Sequence, residues 1–332
     1  MRKALVFASF LLLAASGLTN AGCSSSNART FDEQTPDGGA QVLADGGGGT
    51  IDPQNDGGGT PTKTIVYAHT DETLYQLDPL KVTDPLVKVG DFDCVGKGKT
   101  DPAMTDIAVS KDGALFGVSQ TGAYPLEVQG STVHCKATWP LPSSGTVFYG
   151  ITMAPENTVA ANEVLIAAND NGELFRIDDT TGKTTQVGTL GNDSTGTPWA
   201  LSGDIVFLAN GGNPVGFATV RTCPKNKCIP TDTLIEIDVA KVKPGKQSAL
   251  KAVRGQTNKG TWCQNAASPD TFTSMFGIAA FEDKVYGFSR KGELVEIHND
   301  DGTACLVAAD PLLKFAGAGV TTTAPVKAPP PK

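Results

Sequence analysis

The sequence predicts an all-β fold, a β-propeller of four-stranded blades, from three observations: a strand motif that recurs, a second element that recurs ahead of it, and an incomplete first repeat whose missing strand stands near the C-terminus. The clearest copy of the motif is Gly172-Glu173-Leu174-Phe175-Arg176-Ile177-Asp178. It returns as Thr73-Leu74-Tyr75-Gln76-Leu77-Asp78, Thr233-Leu234-Ile235-Glu236-Ile237-Asp238 and Gly292-Glu293-Leu294-Val295-Glu296-Ile297-His298, with a weaker copy at Pro125-Leu126-Glu127-Val128-Gln129. Successive copies lie 49 to 60 residues apart. In the strong copies one side of a period-2 strand is apolar, as at Phe175 and Ile177, and the other alternates Leu with a polar group.

The second element reads Asp106-Ile107-Ala108, Gly150-Ile151-Thr152, Asp204-Ile205-Val206 and Gly277-Ile278-Ala279, with an orphan copy at Gly319-Val320-Thr321. Between the two elements run further strand-like pieces, Leu115 to Ser119, Val164 to Ala168, Phe217 to Arg221 and Val285 to Ser289. A fourth strand follows, at Thr185 to Leu190 or Ala304 to Ala308, and turn signals such as Lys111-Asp112-Gly113 and Asp301-Gly302 separate them. The body opens at Thr64 to His69 with what reads as a second strand. The orphan copy supplies the missing first strand, which closes the ring and removes an exposed sheet edge. The count is five blades over residues 64–324, and the long segment 255–271 leaves room for a degenerate sixth.

The leucine-x-x-isoleucine-aspartate strands resemble those of bacterial YVTN-type and quinoprotein-like propellers. The resemblance covers the whole repeat region but consists of structural positions, so it implies a fold and carries no chemistry.

Ahead of the repeats, Arg2 and Lys3 precede an apolar run from Ala4 to Ala15, a charged start and a core of signal-peptide length. The small residues leading to Cys23 and the serines after it resemble the lipobox of bacterial lipoproteins, although Asn20 stands where that family usually has Leu. The resemblance implies cleavage before Cys23 and lipidation of its thiol; ordinary cleavage after Ala21 is the alternative. Residues 1–22 are thus expected to be a signal peptide. Residues 23–63 form a Gly/Asp-rich linker whose segment 24–62 has nine glycines and six acidic groups against the single Arg29, too polar to build a core. Residues 325–332, with three consecutive prolines, read as an extended tail. The expected location is the cell envelope, through the lipid anchor alone, at the outer membrane facing the periplasm or the cell surface.

Seven cysteines support the same picture, because lipidation of Cys23 leaves six for three disulfides. Cys94 lies 13 residues before Ile107 and Cys135 lies 28 after it, while Cys263 lies 15 before Ile278 and Cys305 lies 27 after it. The two pairs occupy equivalent places, which predicts Cys94–Cys135 and Cys263–Cys305, with Cys223 and Cys228 left for a local bridge. Zinc at Cys223 and Cys228 lacks a second pair of ligands nearby.

Charge narrows the partners. With 35 acidic against 27 basic residues, a net −8, and no Lys/Arg cluster, nucleic acid is not expected. The histidines, His69, His134 and His298, fall in different repeats and read as turn or rim residues. Ser119 lacks the final Gly of a nucleophile elbow. Asp78, Asp178 and Asp238 recur because they end equivalent strands, where aspartate accepts turn N–H groups. Trp139, Trp199 and Trp262 read as packing at blade junctions. No catalytic residue, cofactor or metal ligand is assigned. The expectation is a monomeric, non-catalytic binding or scaffold module with a protein or glycan partner. The competing expectation, a propeller enzyme, requires His69 or His298 to meet Arg221, Arg254 or Glu282 at the channel mouth.

Overall fold

The computed structural model describes residues 63–142, 147–224 and 227–332. Cys23, the signal segment and the linker up to residue 62 lie outside the described residues. Within them the protein is all-β and consists of several antiparallel sheets.

The strands in chain order are β1 (Val66–His69), β2 (Thr73–Leu77), β3 (Val87–Phe92), β4 (Asp106–Val109), β5 (Leu115–Val118), β6 (Gly122–Gln129), β7 (Thr132–Cys135) and β8 (Trp139–Pro140). Next come β9 (Phe148–Ala154), β10 (Val164–Asn169), β11 (Glu173–Ile177), β12 (Thr184–Thr189), β13 (Trp199–Leu208), β14 (Val215–Thr222), β15 (Thr233–Ile237), β16 (Gly245–Ser248) and β17 (Leu250–Gln256). The last are β18 (Met275–Phe281), β19 (Lys284–Ser289), β20 (Glu293–His298), β21 (Ala304–Ala309) and β22 (Gly317–Val320).

Their pairing gives the orders β22-β1-β2-β3-β7-β6-β5-β4, β16-β12-β11-β10-β9, β13-β14-β15-β17 and β18-β19-β20-β21. In the first, β3 and β7 pair in parallel at Asp91 with Thr132 and Phe92 with Val133. This parallel seam joins two four-stranded antiparallel runs into one sheet. A second parallel pairing, β12 with β16, covers the outer edge of the next sheet. Both pairings protect edges that would otherwise be open to another chain.

The apolar alternation read from the sequence decides where the cores sit. Inner strands such as β4, β10 and β13 bury residues on both sides, so cores form between neighbouring sheets. One contains Leu74, Phe92, Ile107 and Leu126, and another Ile151, Leu165, Ala108 and Val118. A third joins Leu174 and Ile166 to Phe207 and Ile235. The largest joins Phe217, Phe288 and Phe315 to Val66 and Leu77. The first strands of the runs touch in cyclic order, β4 to β9, β9 to β13, β13 to β18, β18 to β22 and β22 back to β4. Strand β22 pairs along its whole length with β1, Val320 opposite Val66 and Gly317 opposite His69.

Two registers differ from the sequence reading. The residue of β22 equivalent to Gly150 and Gly277 is Gly317, since it pairs with His69 as Gly150 pairs with Ala168 and Gly277 with Phe288. The orphan copy is therefore Gly317-Ala318-Gly319, two residues earlier than Gly319-Val320-Thr321. In the second run Ala123, not Leu126, lies opposite Val118 and so stands where Leu74 and Leu174 stand elsewhere. Both slips have one cause: Gly-Ala-Gly-Val and Tyr-Pro-Leu-Glu-Val contain several residues able to serve as the anchor. Residues 257–274 add no strand, only isolated bridges such as Asn258 with Thr271.

The C-terminal stretch, expected as a tail, lies on the body instead. Glu282 donates its N–H to Pro325 O at 2.7 Å and accepts that of Lys327 at 2.6 Å. Asn299 Nδ2 donates to Lys327 O at 2.9 Å, and Arg254 Nη1 to Pro330 O at 2.8 Å. Pro329 is buried. Arg254 itself is nearly inaccessible and forms an ion pair with the wholly buried Glu236, which Lys251 also reaches at 2.8 Å.

Truncation separates these two roles. Deleting residues 315–332 removes β22 and leaves β1 an open edge, so cooperative unfolding in urea is lost. Deleting only 328–332 uncovers Arg254 and costs about 1.5–3 kcal/mol, the range for a hydrogen bond to a charged group. Equal urea midpoints for the two truncations contradict the closing role of β22.

Candidate functional site

The groups with the greatest chemical potential gather where the first strands approach one another. Asp106 opens β4 and Asp204 sits in the irregular stretch of β13 between Leu201 and Ile205. Both are fully buried. Asp106 Oδ2 accepts the N–H of Ile151, on the next first strand, at 2.5 Å. Asp204 Oδ2 accepts the N–H of Ile278, again on the next first strand, at 2.8 Å. A third buried acid, Asp232, accepts the N–H of Met275 at 2.8 Å.

Burial is the main reason both central carboxyls sit well above the ordinary carboxylate range, and the charge of Asp204 raises Asp106 further. Neighbouring carboxyls in a dry site resist ionising together. Burial likewise pushes Asp232 up to about 6, against hydrogen bonds that pull it down.

His69, expected at a rim or turn, is instead fully buried beside this pair, its Nε2 3.8 Å from Asp106 Oδ1. Its Nδ1 lies 2.7 Å from Thr70 O, so the hydrogen is on Nδ1. Burial lowers it to about 4, which keeps the ring neutral. The ring meets Phe92 edge-on at 5.8 Å. Space for it comes from Gly317: a Cβ there would lie 2.1 Å from Asp106 Oδ1 and 2.3 Å from His69 Nε2. Gly277 serves the same end, since its Cβ would lie 2.4 Å from Gly317 C.

The remaining sequence candidates are dispersed. Ser119 is buried and donates to Asp101, which Thr121 also reaches with Oγ1 at 2.9 Å, while Tyr124 Oη lies 2.9 Å from Ser119 Oγ. No base faces it. His134 pairs with Asp93 at 2.5 Å. His298 stacks on Trp262 at 3.9 Å with its plane only 4° away, and a donor atom of His298 lies within 4.8 Å of Asp300 and Asp301 on an exposed turn. Arg254 is committed to Glu236 and Pro330, and Glu282 to the C-terminal stretch through its backbone. Trp139 stacks on Phe116, and Trp199 is buried between sheets. Asp178 Oδ1 accepts from Thr180 and Thr181, which hold it at about 2; Asp78 accepts from Leu80, and Asp238 instead pairs with Lys241. An open groove of about 410 Å³ lies at the periphery, lined in part by Thr83, Asn265 and Glu296.

The structure brings all three cysteine pairs of the repeat register together: Cys94–Cys135, Cys223–Cys228 and Cys263–Cys305. Three disulfides fit an oxidising, exported environment. Among the described residues no helix is long and apolar enough to cross a membrane.

No known family matches the chain, and no curated protein matches it. Solved structures with some likeness include a protein of unknown function from Bacteroides caccae, 11% identical over 78% of this chain and 99% of that one, with a TM-score of 0.41. The glutaminyl cyclase of Myxococcus xanthus is 12% identical over 66% and 70%, with a TM-score of 0.35. BBS1N in complex with ARL6DN is 10% identical over 71% and 59%, with a TM-score of 0.33. At these scores none bears on chemistry.

The buried acids make stability depend on pH in a defined direction. A carboxyl raised in the folded state contributes fully below the unfolded value and loses that contribution as pH rises through the folded one. For Asp232 the window runs from 3.8 to about 6. His69 acts oppositely, costing stability as pH falls from 6.5 toward 4. Asp232→Asn therefore removes a loss of at most about 3 kcal/mol across that carboxyl window, read as urea-unfolding free energy against pH. Asp106→Asn keeps the acceptor for Ile151 and removes one of the two raised carboxyls, so it flattens the profile on the alkaline side. A profile unchanged in both variants contradicts the assignment.

Proposed function

We propose that the protein is a five-bladed β-propeller held at the cell envelope by a lipid on Cys23, and that it acts as a non-catalytic binding or scaffold module for a protein or glycan. The five-blade reading draws on five four-stranded antiparallel runs, β22 with β1 to β3, β4 to β7, β9 to β12, β13 to β15 with β17, and β18 to β21. The cyclic contacts of their first strands and the pairing of β22 with β1 support it. The envelope reading draws on the lipobox resemblance and the three disulfides.

One observation carries the non-catalytic reading: the central His69, Asp106 and Asp204 are wholly inaccessible, and both carboxyls are engaged by strand N–H groups. Their chemistry is used to hold sheets together. Neither His69 nor His298 shares a hydrogen bond or ion pair with Arg221, Arg254 or Glu282 among the described residues, as the enzymatic reading required.

Cys23→Ala tests the anchor, because it leaves export intact and moves the protein from the membrane fraction to the soluble one. Membrane fractionation that does not change contradicts lipidation. Incubation with a glycan and metabolite array tests the module: a ligand retained without conversion supports binding, and turnover that survives purification and is lost in Asp106→Asn overturns it.

A further inference from the structure

The two equivalent disulfides differ in what surrounds them. Cys263 and Cys305 are 8% and 9% exposed, and the carbonyls of Asn265 and Leu306 lie 3.9 and 3.8 Å from their sulfurs. The residues ahead of these cysteines are Trp262 and Ala304. In the second run the same two places hold Asp93 and His134. Asp93 Oδ1 accepts the N–H of Cys135 at 2.9 Å, and Oδ2 lies 2.5 Å from His134 Nδ1. A carboxylate oxygen of Asp93 and both sulfurs lie within 4.8 Å of one another. The Asp93 and His134 side chains are 36% and 44% exposed, so solvent and small ions reach the group.

Breaking the disulfide does not by itself disperse these donors. The backbone seam between β3 and β7 holds both cysteine-bearing segments side by side, through Asp91 N–H to Ser131 O at 3.1 Å and Asp93 N–H to Val133 O at 3.1 Å. The bond from Cys135 N–H to Asp93 adds a third tie. Disulfide sulfurs are poor ligands, whereas two thiolates and a carboxylate are the donor set of a borderline-soft divalent ion of the zinc class.

We propose that Cys94–Cys135 is a redox-gated metal site. A dithiol reductant transfers two electrons and two protons to the disulfide, giving two cysteine thiols and the oxidised, cyclic form of the reductant. One Zn2+ then displaces both thiol protons to solvent and takes Cys94, Cys135 and Asp93 as ligands, with water in the fourth place. His134 is a positioning residue that holds the carboxylate through its far oxygen. A disulfide oxidant then takes two electrons from the thiolates by thiol–disulfide exchange and leaves as its dithiol, which re-forms Cys94–Cys135 and releases the ion. The sister bridge Cys263–Cys305 lacks the carboxylate and imidazole, so it is the internal control.

Residue-resolved alkylation of the whole protein tests this. The protein is reduced, mixed with Zn2+, alkylated, and mapped by mass spectrometry. Zn2+ slows alkylation of Cys94 and Cys135 about tenfold or more, a chelator reverses it, and Asp93→Asn or His134→Ala removes most of the protection. His134→Gln, which still donates to Asp93, retains it. Cys263 and Cys305 alkylate at the same rate with and without Zn2+. The proposal is overturned by equal protection at all six cysteines, by none at Cys94 and Cys135, or by protection that survives Asp93→Asn. Loss of β-sheet circular dichroism on reduction also overturns it, since the site requires the intact seam.

Discussion

The architecture depends on one interaction, a buried carboxyl on one sheet accepting a backbone N–H from the first strand of a neighbouring sheet. Asp106 does this for Ile151, Asp204 for Ile278 and Asp232 for Met275. Strand hydrogen bonds act within sheets, and apolar packing between them is non-directional. These contacts, with a few others such as Phe207 N–H to Thr152 Oγ1 at 3.0 Å, fix how far one sheet slides past the next. A buried N–H left without a partner costs about 1–3 kcal/mol, so each contact opposes slippage by that order.

Such contacts require the first strands to come unusually close, and this is where the small residues enter. Gly317 leaves the space in which Asp106 and His69 meet, and Gly277 lets β18 lie against β22. Gly-Ala-Gly-Val therefore serves as a strand despite its low intrinsic preference, because β1 and its neighbours over-determine its conformation. The outer edges obey the opposite logic. There the parallel pairings of β3 with β7 and β12 with β16 fill edges that first-strand packing cannot reach.

Much of the strand order was legible in the sequence. The Leu-x-x-Ile-Asp copies lie on β2, β11, β15 and β20, and the equivalent spacing of Cys94, Cys135, Cys263 and Cys305 matched the pairs the structure brings together. The register at Gly317 and at Ala123 was not legible, because adjacent small or apolar residues carry the same signal and only the hydrogen-bond ladder separates them. The central site was half legible. Asp106 and Asp204 were visible as members of a repeat, yet nothing local says that their side chains turn inward. His69 looked like a rim residue because it ends a strand; its burial follows from Gly317, which is 248 positions away in sequence. The docking of residues 325–332 on Arg254 was equally hidden, since proline-rich composition describes a conformation and not a binding partner.

The same reasoning accounts for why acids, with their desolvation cost, stand between apolar sheets of repeated pattern. Repeats that share one hydrophobic pattern are nearly interchangeable as neighbours, so apolar burial alone distinguishes the correct order of sheets weakly from a shifted one. Carboxyls at Asp106 and Asp204, separated by glycine at Gly150 and Gly277, break that degeneracy. In the observed order each acid meets an N–H of the neighbouring sheet. In a shifted order a carboxyl would meet the face of another strand without its donor, and burying it unpaired is costly. The polar centre therefore does more to specify the arrangement of the sheets than to stabilise it, and the apolar interfaces on either side supply the stability.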